Sequence, residues 1–205
     1  MDSVQTTSTW CYWAFFVLAR DADIQEKLYE NVMNHAPTSI DDKIGAEHVA
    51  EMGYLHVFLQ EVLRLYPPAG LIPRYNRFKE KFGDVEVPAN TRITLSPHLI
   101  HRHPKYWDDP ESFRPVRWFN VSDAEADRRR FAFIPFSAGG RNCIGQNFAT
   151  LETQLIVAAI VRAFKIEMAP SQKDVEHTFT TSITMKSKPL FRFVVHERLG
   201  MRIEI

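Results

Sequence analysis

Cys143 has the surroundings of a metal ligand. The stretch Phe136-Ser137-Ala138-Gly139-Gly140-Arg141-Asn142-Cys143-Ile144-Gly145 sets glycines and an arginine around one thiol, then runs into a segment of helical periodicity. A tight glycine loop lets backbone N–H groups point at a sulfur, and a helix start behind it presents a positive dipole end. Both tune how strongly the sulfur donates to a metal. The plainer alternative is a buried structural thiol, but a packed thiol needs no loop this open. In a locally extended loop, Arg141 and Cys143 project to the same side. One can then ligate a metal while the other meets an anionic group, a task that suits a guanidinium.

Other residues could also do chemistry. Glu61 and Arg64 stand three apart, the spacing of a surface ion pair worth a few tenths of a kcal/mol. Their helix is apolar nearly all round, however, so at least one of the two charges is expected to be buried, where it needs well-made partners. His101 and His103 alternate in His101-Arg102-His103-Pro104, a spacing that suits a structural turn better than a ligand pair. Arg128-Arg129-Arg130 reads as a solvated charge run or as part of a basic docking face.

The elements that position these residues are mostly helical. Helices are expected at about 4–19, 23–34, 54–66 and 146–164, the third stopped by Pro67-Pro68 because proline cannot continue a helix. Leu151, Leu155, Ile156, Ala159 and Ile160 recur at helical spacing and are expected to face the core. Short strands are expected at 71–75, 84–87 and 92–95. Two more, at 178–185 and 191–196, flank a Lys188-Pro189 turn, and 97–135 reads as a long irregular stretch. The fold class is mainly α with a small β component.

Beyond single residues, the loop reads F-x-x-G-x-R-x-C-x-G and resembles the haem-binding loop of cytochromes P450. Ala149 and Glu152 follow at the family's spacing. Glu61-Val62-Leu63-Arg64, continuing as Leu65-Tyr66-Pro67-Pro68, is similar to the family's E-x-x-R segment. Asp109 to Trp118 resembles its aromatic-rich segment with a P-x-R-W ending. The likeness implies that residues 1–205 form the C-terminal, haem-binding portion of the cytochrome P450 fold. It implies Cys143 as the axial iron ligand of haem b, with Phe136, Gly139, Arg141 and Gly145 shaping the cofactor site. Arg74 is a second propionate partner by resemblance, or otherwise a solvated strand charge. Arg117 joins Glu61 and Arg64 in an architectural charge cluster. Asp2-Ser3-Val4-Gln5-Thr6-Thr7-Ser8 matches the threonines and serine of the helix over the haem, but Ser3 and Gln5 replace its usual glycine and carboxylate. Thr6 relays protons to bound dioxygen on this reading, or back-bonds to its own helix.

The implied activity is a haem-thiolate monooxygenase, an oxidoreductase that inserts one oxygen atom of O2 into a C–H bond of a small apolar substrate, lipids included. Electrons would come from NADPH through a partner such as NADPH–cytochrome P450 reductase. The resemblance implies a setting on the cytosolic face of the endoplasmic reticulum membrane. Alternatives are an oxygen-independent haem-thiolate isomerase or dehydratase, or a catalytically impaired haem-binding or interaction fragment. The last follows if the chain starts in mid-fold without the segments that build much of the substrate pocket.

Bulk properties narrow the field. With 25 basic and 25 acidic side chains in 205 residues, no strongly basic face is expected and nucleic acid is an unsupported partner. Two cysteines exclude a disulfide-dense secreted scaffold. A Cys11–Cys143 bridge is arithmetically open but competes with the ligand role of Cys143. The apolar run from Trp10 to Ala19 is too short for a bilayer, which takes roughly 20 residues, and reads as a buried helix.

Overall fold

The computed structural model describes residues 3–39, 41–172, 178–181 and 185–198. Its frame is helical. Helix α1 (Ser3–Arg20) ends on Arg20, whose charge complements the carbonyl end of the dipole. Helix α2 (Ala22–His35) starts at Asp21, whose carboxylate accepts the Ile24 N–H at 3.0 Å. A short α3 (Ala46–Glu51) leads into α4 (Gly53–Leu65). The long α7 (Gln146–Ala163) closes the group. Trp13, Leu28, Leu55, Phe58, Val62 and Val157 are among the side chains that fill the core between these helices. No described helix is long and apolar enough to cross a membrane.

Small antiparallel sheets decorate this frame. Strand β1 (Ile72–Tyr75) pairs with β4 (Arg92–Leu95), and β2 (Glu80–Phe82) forms a hairpin with β3 (Val85–Val87). In β1, Ile72 is buried and Arg74 half-buried, while Pro73 and Tyr75 face outward. The alternation puts Ile72 and Arg74 on the same face.

The structure corrects several sequence expectations. Residues 97–135 are not wholly irregular. They hold α5 (Pro97–Ile100), a 3₁₀ turn at Pro115–Trp118 and α6 (Asp123–Arg129), and the two helices carry serine N-caps at Ser96 and Ser122. Helix α7 stops at Ala163, and β5 (Phe164–Met168) follows without a loop. The expected strand at 178–185 is β6 (Thr178–Thr181) paired with β7 (Met185–Lys188), residues 182–184 lying outside the described set. The last strand, β8 (Phe193–Glu197), pairs with β5 instead.

The buried face of α7 matches the expected one only in part: Leu155 and Ile160 pack against the core, but Ala159 is exposed. Thr153, Val157, Ala158, Val161 and Arg162 point inward, whereas Leu151 and Ile156 are exposed. Arg162 accounts for part of this orientation. Its guanidinium reaches the carbonyls of Pro37, Ser39 and Asp42 at 2.7–2.9 Å, pinning the chain between α2 and α3.

Candidate functional site

The cysteine loop is shaped by its own backbone. The Cys143 N–H donates to the Phe136 carbonyl at 2.9 Å, closing the loop on itself, and the Asn142 N–H donates to Gly139 O at 3.1 Å. Ser137 and Gly139 take left-handed backbone angles, φ 66° and 74°. Glycine accepts such a conformation without steric cost, whereas serine holds it only in a well-determined setting. Gly139–Arg141 form a 3₁₀ turn, so the segment before Cys143 is not the extended run expected from the sequence. Gly145 ends the loop and caps α7. A methyl added there would come within 4.0 Å of the Cys143 sulfur.

This loop is one wall of a cavity of about 420 Å³. Helix α1 lines it through Thr6, Thr7 and Trp10. Leu63 of α4, Ile72 and Arg74 of β1, and Phe148 and Ala149 of α7 complete the lining. Arg141 and Cys143 both line the cavity and both are exposed. Phe136 is half-buried, edge-on to Trp10 with ring centres 5.9 Å apart. The Arg74 guanidinium donates to Ser137 Oγ at 2.9 Å, tying the strand to the loop.

The structure thus brings Thr6, Arg74, Phe136, Arg141, Cys143 and Gly145 around one space. Gly139 shapes the turn without lining it. Of the residues around Thr6, Asp2 lies outside the described residues, and the exposed Gln5 offers its main-chain carbonyl to the hydroxyls of Ser8 and Thr9. Both cysteines are free; Cys11 is buried in α1, where loss of hydration pushes its thiol up to about 11.

Glu61, Arg64 and Arg117 stand apart from the cavity in a closed network. Glu61 and Arg64 are fully buried, their charged atoms paired at 2.8–2.9 Å. One Glu61 oxygen also accepts Arg117 Nε and the Arg114 N–H, and the other accepts Trp118 Nε1, each at 2.9 Å. Arg64 spends its remaining N–H groups on the carbonyls of His101, Pro110 and Ser112. Arg117 does the same with those of Asp108, Asp109 and Ser112. A buried carboxylate is tolerated because every lone pair is matched in this way.

Two further residues extend this network, His101 from the expected structural turn and Arg129 from the arginine run. Fully buried His101 donates from Nδ1 to Arg64 O at 3.2 Å and accepts the Ile134 N–H on Nε2 at 2.9 Å. Those bonds require the neutral ring. Burial, with the Arg64 and Arg102 charges adding to it, lowers its pKa to about 3. Arg129 is the second. It is buried between indoles, its guanidinium carbon 4.9 Å from the Trp107 ring centre and 5.8 Å from that of Trp118. It donates to Arg117 O at 2.9 Å and pairs with Glu125, so the middle of the arginine run is not solvated. The Trp118 in the quoted P-x-R-W segment was the available sequence signal, since a buried indole N–H needs an acceptor.

Comparison with known proteins places this arrangement. The cytochrome P450 family pattern matches residues 1–192. Cytochrome P450 4p1 of Drosophila melanogaster is 31% identical over 93% of this chain and 36% of its own length. The mitochondrial sterol 26-hydroxylase of Homo sapiens is 35% identical over 83% of this chain and 32% of its own length. The crystal structure of a cytochrome P450 (CYP102L1) superposes with a TM-score of 0.81 at 25% identity, covering 94% of this chain and 42% of that one. The chain therefore spans about a third of the length of the curated relatives it matches. With its fold, its family pattern and its relatives in agreement, this chain belongs to the cytochrome P450 family.

Proposed function

We propose that residues 1–205 form the haem-binding, C-terminal portion of a haem-thiolate monooxygenase acting on a small apolar substrate. The observation that carries this reading is the composition of the Cys143 cavity. Its walls are largely apolar, a single soft sulfur ligand stands on one side, and two guanidiniums, Arg74 and Arg141, sit at its margin. That donor set fits a flat apolar macrocycle that carries an iron at its centre and carboxylates at its edge.

On this reading the Cys143 sulfur holds the iron of haem b, and Arg74 and Arg141 receive the propionates. Bound there, a thiolate-ligated haem supplies the activation of dioxygen that C–H hydroxylation requires. The chain's own residues orient and protect. Phe136 shields the sulfur side with aromatic surface, backed by the edge of Trp10 from α1, and the Gly139 turn and Gly145 keep Cβ atoms away from the loop's approach to the cofactor. Thr6 places a hydroxyl in the cavity lining, where it can pass a proton. Electrons would come from NADPH through a reductase. The name of the human sterol relative supports a lipid-like substrate. Membrane association, at the endoplasmic reticulum, is the setting that fits the cytochrome P450 4 relatives.

The test is spectroscopic. Haem-loaded protein, reduced and exposed to carbon monoxide, should give the red-shifted Soret band of sulfur ligation, and Cys143→Ser should lose it. Retention of that band in Cys143→Ser sinks the ligand assignment. Product formation that depends on electron supply separates a monooxygenase from an oxygen-independent isomerase or dehydratase.

A further inference from the structure

A second cavity, also about 420 Å³, lies behind the first. The two share Trp10, Leu63, Pro135, Phe136 and Ser137 in their walls. The second differs in character. Gln60 of α4 and Asn147, Thr150 and Gln154 of α7 bring hydrogen-bonding groups to it. A space of this size, partly open to solvent and with several polar partners, is accessible to water. The aromatic part of the wall they share is the edge-to-face pair of Trp10 and Phe136.

Trp10 is the fixed half of this pair. It is 3% exposed, and its Nε1–H donates to Leu59 O of α4 at 3.2 Å. Phe136 is the half carried by the loop, four residues after Ala132 and seven before Cys143. We propose that Trp10 is a positioning residue that seals the Cys143 cavity against the water-accessible cavity behind it. The inference rests on the reading of Cys143 as the haem ligand. The apolar shell of a metal site controls solvent access and the local dielectric, and with them how firmly the sulfur is held on the metal. A ring at position 10 should matter through the water it excludes. The Leu59 bond should matter less, because it orients the indole without forming the barrier.

The experiment uses the haem-loaded 205-residue chain and follows two readouts: transfer of haem to excess apomyoglobin, and the fraction of the sulfur-type carbon monoxide band over time. Trp10→Ala should release haem about 10–100-fold faster, the usual scale of a lost outer-sphere residue. Two further variants separate sealing from tethering and from general destabilisation. Trp10→Phe keeps an apolar ring but loses the bond to Leu59 O, and should hold haem and band nearly as wild type does. Trp10→Gln keeps a donor for Leu59 O but replaces the ring with a polar chain, and should leak as the alanine variant does. If Trp10→Ala fails to fold, the ranking of phenylalanine against glutamine still decides. Wild-type retention in Trp10→Gln, or release from Trp10→Phe as fast as from Trp10→Gln, overturns the seal. Absence of the sulfur-type band in the wild-type protein overturns instead the ligand reading on which it rests.

Discussion

The network around Glu61 and the cavity around Cys143 both carry charged or ligating groups, yet they treat those groups in opposite ways. Around Glu61 every charged atom is inside the protein and matched, much of it to backbone carbonyls. Around Cys143 the sulfur and the Arg141 guanidinium are exposed, and the loop's shape is held by main-chain bonds. The difference teaches that side chains which fix the chain ahead of the loop and side chains which face the cavity are largely separate sets, with Arg74, bonded to Ser137, the member of both. Damage to one should appear as instability, and damage to the other as lost ligation in a protein that still folds.

The sharpest way to break this division is Glu61→Ala. It strands Arg64, Arg117 and the Trp118 and Arg114 N–H groups without their shared acceptor. Removing one partner of such a buried pair costs about 3–5 kcal/mol, a large part of a typical domain's stability. Denaturant unfolding should show that loss, or the protein should be insoluble. Wild-type stability in this variant would mean that the network is dispensable.

A smaller effect should come from His101 through pH. Its folded pKa, about 3, lies below the ordinary value of 6.5. Between those values the unfolded chain binds the proton and the folded chain does not. Its contribution is therefore fully present above about 6.5 and is lost as pH falls toward about 3. The slope approaches about 1.4 kcal/mol per pH unit for one proton. Unfolding measured across this window should be less steep in pH for His101→Asn than for wild type, by close to one proton. Equal slopes would show that His101 is protonated in the fold.

The smallest change in stability is expected at the residue with the largest chemical consequence. Cys143 is exposed, so the same Cys143→Ser protein should unfold within about 0.5 kcal/mol of wild type when both are cofactor-free. A larger loss would mean that the sulfur also carries part of the fold.

How much of this was legible beforehand depended on how local the signal was. The Cys143 loop announces itself in ten consecutive residues, and the helix ending at Pro67-Pro68 is readable because its stop signal is local. The orientation of α7 was legible only in part. Leu151 and Ile156 keep helical spacing with the core residues, and only the packing partners decide that Val157 and Val161 turn inward instead. The junction of α7 and β5 was hidden for a related reason. No glycine or proline marks the junction at Ala163 and Phe164, and the strand exists because β8, whose residues Phe193–Glu197 lie far along the chain, pairs with it. Arg129 looked solvated for want of any local hint that Trp107 and Trp118 would enclose it.

Arg64 and Arg117 take hold of residues 101–112 by their carbonyl oxygens. A carbonyl is the one acceptor that all twenty amino acids carry. What these two arginines recognise is thus the route of the chain and not its lettering. Positions such as Pro110 and Ser112 can be rewritten by any residue that keeps the same path, while the two guanidiniums that read it cannot. Lysine would not serve in their place, because a point charge lacks the fixed fork that grips several carbonyls at once. The segment is therefore free to diverge in sequence without moving the loop behind it, a lock whose key is the course of the backbone.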